Sequence, residues 1–148
     1  MFVAIDDHAR IGFTQMKPNE RLSCAIAFLR AAVRYFAWFG VTIRRVLTDN
    51  GSAFRSKRFA ATCRRLNIKH KFTRPYRPQT NGKAERFIRS ALRQWTYGIA
   101  YHHSSERTAM PSRWTHHYSW HRPPQRIGSV AAISRLAQSR NNRLTAHT

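Results

Sequence analysis

Carboxylates are scarce in this sequence. Asp6, Asp7, Glu20, Asp49, Glu85 and Glu106 are the only acids among 148 residues, against 27 Lys and Arg, which leaves a formal charge of +21 at pH 7. Such an imbalance argues for a polyanionic partner, nucleic acid first. Cysteine is scarce too: Cys24 and Cys63 lie far apart with no CxxC pair, which removes a disulfide framework and a zinc knuckle. No apolar run approaches the ~20 residues needed to span a bilayer. The N-terminus lacks the charged, apolar and small-residue pattern of a signal peptide, so a cytoplasmic location and no membrane partner are expected. There is no Gly-rich nucleotide loop, no recognisable serine-nucleophile motif and no internal repeat. What is present is 42% hydrophobic and 12% aromatic, enough for one globular domain.

The positive charge is concentrated. Between Arg44 and Arg93 there are 15 Lys and Arg against two acids, Asp49 and Glu85, a net +13 within 50 residues. This density lies among apolar segments that read as folded, as a phosphate-binding face on a domain would; the plainer alternative is a solvated charged surface. Arg outnumbers Lys 22 to 5. Bidentate phosphate recognition and a coding bias toward arginine account for that ratio equally well.

Periodicity supplies a coarse outline. Residues 2–5 and 11–16 read as a hairpin around a turn at Asp7–Arg10. Leu22, Ala25, Ile26, Leu29, Val33 and Phe36 recur at helical spacing, with Asn19 placed to cap the start and Gly40 to end the helix. Ile43–Thr48 reads as a buried strand running into the turn Asp49-Asn50-Gly51. A short helix over Ser56–Leu66 and a strand over Ile68–Thr73 follow. Two prolines and Asn81-Gly82 make residues 74–82 a loop, which feeds a helix from Lys83 to Tyr97. A further helical region, broken at Pro111, spans about 105–121. Residues 1–123 are expected to form the core and residues 124–148 a basic, weakly structured tail.

Because acids are so few, their positions carry information. Asp49 ends a buried strand and Glu85 lies near the start of a helix, both inside the most basic stretch of the chain. A carboxylate there lowers phosphate affinity unless it binds a cation or pairs with arginine. Hard divalent ions take carboxylate oxygens, and two such ions about 3.5–4 Å apart can activate a nucleophile and stabilise a leaving oxygen in phosphoryl chemistry.

The segment Val46-Leu-Thr-Asp-Asn-Gly-Ser-Ala-Phe54, followed by Arg74-Pro-Tyr-Arg-Pro-Gln-Thr-Asn-Gly-Lys-Ala-Glu-Arg-Phe87 with 35 residues between Asp49 and Glu85, resembles the catalytic core of DDE transposases and retroviral integrases. Likeness to bacterial insertion-sequence transposases is the strongest. The hairpin at Ala4–Arg10 and His117–Pro123 also resemble that group, so the similarity covers about residues 2–123.

The resemblance implies an α/β, RNase H-like fold: a mixed sheet with flanking helices. Asp49 would match the second family aspartate and Glu85 the glutamate, together holding Mg2+ or Mn2+ in a two-metal site. Asn50 and Gly51 would shape the turn beside the metals, and Asn81 and Gly82 the entry to the glutamate helix. Lys83, Arg86 and Arg89 would contact DNA, which the family lays along this helix, and Arg74 and Arg77 are further candidates for phosphate contacts. The implied reaction is strand transfer, in which a 3′ hydroxyl or water attacks a DNA phosphodiester. DNA, as element ends and target, is the implied partner, with a homo-oligomer as the working form.

The pattern departs from the family at its first acid. The family's first aspartate lies on a strand that precedes the hairpin and occupies the centre of the sheet, between the second and fourth strands. Asp6 and Asp7 match the turn after the second strand instead, where an aspartate more simply caps backbone or pairs with Arg10. The expectation is therefore a transposase core shortened at its N-terminus, lacking the central strand and the third carboxylate, and inactive as an isolated chain. A noncatalytic DNA-binding remnant is the alternative. His117 and His121 stand four residues apart, but no acid or cysteine completes a zinc set in sequence. Trp95, Trp114, Tyr118 and Trp120 could stack on bases; at helical spacing, core packing is the simpler role.

Overall fold

The computed structural model describes residues 1–6, 11–73, 89, 114–120 and 143–147. The hairpin is present as β1 (Phe2–Asp6) and β2 (Gly12–Gln15), paired antiparallel from Phe2 with Gln15 to Ile5 with Gly12. All five residues of β1 are buried. The apolar run Phe2–Ile5 forms such a strand because both faces of the sheet are covered.

α1 (Leu22–Trp38) follows the expected spacing and buries Ala25, Phe28, Leu29, Ala32 and Phe36. Its end is set by Gly40 at φ +72°. The Gly40 N–H donates to the Ala37 carbonyl and the Val41 N–H to the Phe36 carbonyl, the paired bonds of a Schellman ending. At the other end Asn19 does not cap the helix: Arg21 is the N-cap residue without a side-chain bond, and the Asn19 Oδ1 accepts from the Arg21 N–H. That bond forms a turn ahead of the helix and leaves the first-turn donors to other partners.

β3 (Arg45–Thr48) leads through the Asp49 turn into α2 (Ser52–Arg55) and α3 (Lys57–Arg65), then β4 (Lys69–Phe72). The Ser56 side chain caps α3 by accepting from the Arg58 N–H at 3.2 Å. Asn67, at φ 56°, ends it as Gly40 ends α1, with Asn67 N–H to the Arg64 carbonyl and Ile68 N–H to the Cys63 carbonyl. Residues 114–120 form α4.

These strands build a mixed sheet in the order β2-β1-β5-β3-β4, where β5 is Arg143–His147. β5 runs antiparallel to β1 and parallel to β3, and its Leu144, Thr145 and Ala146 are buried. The central position therefore has an occupant. It comes from the segment expected to be a weakly structured tail, and it stands where the resemblance puts the first family strand. The physical cause is the backbone edge that β1 and β3 would each expose without it: five residues with two small or apolar side chains on one face suffice to satisfy both edges.

One face of the sheet packs under α1, α2 and α3. Phe2, Ala4, Val46, Leu144 and Ala146 meet Phe28, Phe36, Phe54, Phe59 and Cys63 there, with the Phe28 ring 5.2 Å from Phe2 and 5.5 Å from Phe13. α4 crosses the opposite face, where Thr14 and Thr115 share a 2.8 Å hydroxyl bond and the Gly12 N–H donates to Ser119 Oγ. Flanking helices on both sides of a mixed sheet agree with the expected RNase H-like architecture. Burial raises the Cys63 thiol to about 11, so it is an inert core group.

Candidate functional site

Asp49 stands immediately beyond β3, and each neighbour in the turn fixes it. The Gly51 N–H donates to Asp49 Oδ1 at 2.8 Å. A Cβ on Gly51 would lie 2.9 Å from that same oxygen and 3.6 Å from the Phe54 ring, so the close approach requires glycine for space, not for an unusual φ. Asn50 Nδ2 donates to the Thr73 carbonyl at 3.2 Å, and the Thr73 N–H donates to the Thr48 carbonyl at 2.8 Å. The turn is thereby tied to the end of β4.

α2 anchors the turn from the far side. The Gly51 carbonyl accepts from the Phe54 and Arg55 N–H groups, and Phe54 is buried with its ring 5.1 Å from Phe59. Beneath the turn, Thr48 Oγ1 and His70 Nε2 are 2.9 Å apart. His70 packs between the rings of Phe59 and Phe72, and burial pushes its pKa below the usual histidine value. Its neutral form is the one this site accommodates.

Asp6 is not part of this cluster. It is buried, level with Leu144 and Val46 on the face that α1 covers. Continuing the alternation of β3 puts Asp49 on the opposite face. Two strand spacings across and three residues along leave the two Cα positions about 14 Å apart. β5, between them, carries no carboxylate: its residues are Arg143, Leu144, Thr145, Ala146 and His147.

Of the other expected site residues, Arg89 is helical and exposed. Glu85, Asp7, Arg74, Arg77, Asn81, Gly82, Lys83, Arg86, Trp95 and His121 lie outside the described residues. Among the described residues no three of His, Cys, Asp and Glu come together as a metal cluster. The half-exposed carboxylate of Asp49 is a hard oxygen donor, of a chemistry that would suit a magnesium or manganese ion more readily than a thiophilic one. Trp114 is buried and stacked on Tyr118 at 5.1 Å, a core position, whereas Trp120 is 37% exposed and rests against Phe39 and His116. His117 is exposed. No helix among the described residues is long and apolar enough to cross a membrane.

Sequence reasoning missed the Thr48–His70 bond, the tie from Asn50 to Thr73 and the Phe54 anchor. Only the last left a signal, an aromatic residue three positions after a turn glycine.

Comparison with known proteins gives a consistent pattern. The model of the integrase core domain matches residues 1–78, just over half of the chain, and a second integrase core domain model matches residues 66–131. The Pro-Pol polyprotein of feline foamy virus is 35% identical over 88 residues, 58% of this chain and 7% of the polyprotein. The catalytic core domain of BIV integrase superposes with a TM-score of 0.71 at 20% identity, over 92% of this chain and 84% of that one. A chain in the structure of the simian T-cell lymphotropic virus intasome with a PP2A regulatory subunit gives the same TM-score at 23% identity, over 93% of this chain and 47% of that one. At those identities the solved structures establish the shared fold. The likeness to bacterial insertion-sequence transposases rests on the motifs alone.

Proposed function

The chain belongs to the integrase core domain family, and from that premise we propose that it is the DNA-handling core of an integration or transposition apparatus. Asp49 and Glu85 are its metal ligands, and the basic surface holds the DNA backbone. A bound Mg2+ or Mn2+ pair would supply the charge that polarises a scissile phosphodiester and lowers the pKa of its attacker. The chain's own contribution is positional. Gly51 and Asn50 hold the Asp49 carboxylate at the strand end, while Lys83, Arg86, Arg89, Arg74 and Arg77 bind phosphates and orient the strand. The observation that carries the reading is Asp49, retained and braced by its turn in a chain with six acids and 27 basic residues.

The alternative, a noncatalytic DNA-binding remnant, is favoured by one feature for the chain taken alone. The central strand β5 has no acid, and buried Asp6 lies on the other face. The family pattern needs three carboxylates, so the isolated chain should bind DNA without cutting it. Like the viral intasome, the working form would be an assembly, here of several copies on element ends. A nicking and strand-transfer assay in Mg2+ or Mn2+ tests this. DNA binding with no strand transfer supports the remnant, and turnover abolished by Asp49→Asn and by Glu85→Gln supports a complete active site. Turnover unaffected by either substitution overturns the assignment of both residues.

A further inference from the structure

We infer that the end of the β3–β4 pair remote from Asp49 is a second contact surface for the phosphodiester backbone of nucleic acid. This rests on the DNA reading above and extends it to a place that reading does not use. An open groove of about 710 Å³ lies there, with Ile43 and Ile68 buried beneath it and the exposed side chains of Arg44, Arg64 and Lys69 around it. The Lys69 N–H donates to the Arg44 carbonyl at 2.9 Å, which fixes the two strand-side walls against each other. The groove thus draws its three exposed cations from three elements: the residues leading into β3, the end of α3 and the start of β4.

Two simpler roles explain part of this cluster. Arg64 and Arg65 close the last turn of α3, where cations offset the negative end of the helix dipole. Lys69 lies on β4, an edge strand, and edge lysines discourage strand pairing between molecules. Neither role reaches Arg44, which leads into an inner strand.

The groove is distinct from the Asp49 turn. Five residues of strand separate Arg44 from Asp49, about 16 Å, which corresponds to about five base pairs of duplex. A backbone phosphate held here is therefore not the one presented to Asp49, and the surface lengthens the footprint of bound DNA.

The test is the salt dependence of binding of a short labelled duplex to the full chain, read by fluorescence anisotropy. The triple variant Arg44→Ala, Arg64→Ala, Lys69→Ala is compared with the wild type and with Arg44→Lys, Arg64→Lys, Lys69→Arg, which keeps every charge. All three side chains are exposed, so a thermal melt should register little change. The expected result is a slope of log affinity against log salt reduced by about three in the alanine variant, roughly one for each phosphate no longer neutralised. The charge-preserving variant should retain the wild-type slope. An unchanged slope in the alanine variant overturns the second surface while leaving the DNA reading intact. An equal reduction in both variants overturns it as well, because charge would not be the cause. Failure of the wild-type chain to bind duplex at all overturns the DNA reading on which it rests.

Discussion

On one side of β5 the β1–β2 hairpin pairs near neighbours in the chain and packs Phe2 and Phe13 around Phe28. On the other side β3 and β4 run parallel, separated by two helices, with Asp49 at one end and the exposed Arg44 and Lys69 at the other. The hairpin half is held by apolar contact under α1 and by hydroxyl bonds to α4 on its other face. The β3–β4 half is held as much by polar bonds across its turn, from Gly51 to Asp49 and from Asn50 to Thr73. Local pairing builds the scaffold, and the non-local half bears the groups that can act on a ligand. β5 is the strand through which the two halves share one sheet.

The comparison breaks most completely if that strand is removed. Leu144→Asp places a charge at a buried position between β1 and β3. A loss of more than about 3 kcal/mol in urea unfolding is expected, with hydrogen-exchange protection falling in β1 and β3 together. Protection that falls in only one half would mean that the sheet does not depend on β5.

Next in size is a pair of core truncations. Phe28→Ala and Phe54→Ala should each cost about 3–5 kcal/mol, since each removes a fully buried ring. They should differ in function: at temperatures where both variants remain folded, Phe54→Ala loosens the Asp49 turn and weakens divalent-ion binding, whereas Phe28→Ala does not. Titration calorimetry with Mn2+ separates them.

Gly51→Ala sharpens the contrast at lower cost. The added methyl would meet the Asp49 carboxylate at 2.9 Å. Stability should fall by about 1 kcal/mol as the turn shifts, with Mn2+ affinity falling further than in Phe28→Ala. Retained affinity would show that the close approach is incidental.

The smallest effect is titration of His70. Its folded pKa is lowered by burial from 6.5, so the unfolded chain takes up the proton first as pH falls. Its contribution is complete above the unfolded value and is lost as pH drops through it toward the lower folded value. Urea unfolding from about pH 7 to about pH 5 should show a shallower loss in His70→Gln than in the wild type. Equal slopes would remove His70 as the cause.

Much of this architecture was legible because its signals are local. Leu22 to Phe36 repeat at helical spacing, Gly40 supplies the left-handed ending, and Asp49-Asn50-Gly51 is a contiguous turn motif. What escaped depends on distance in the chain. β5 reads as Arg-Leu-Thr-Ala-His, too short and polar to announce a strand; it is one because β1 and β3 offer it two edges. α2, with four residues, is too brief for periodicity to register. Asn19, a plausible cap in sequence, bonds the N–H of Arg21 before the helix begins. At the site the acid and its glycine were visible in sequence and Phe54 left a faint signal, whereas the contributions of Thr73 and His70 appear only when the chain is folded.

The most direct test of the central claim is to titrate Mn2+ into the isotopically labelled chain and follow paramagnetic broadening of its backbone amide resonances. Amides of Asp49–Gly51 should broaden first, together with those flanking Glu85, and Asp49→Asn should remove the effect at both places. Broadening that begins elsewhere, or that persists unchanged in Asp49→Asn, would contradict the assignment of Asp49 as a metal ligand.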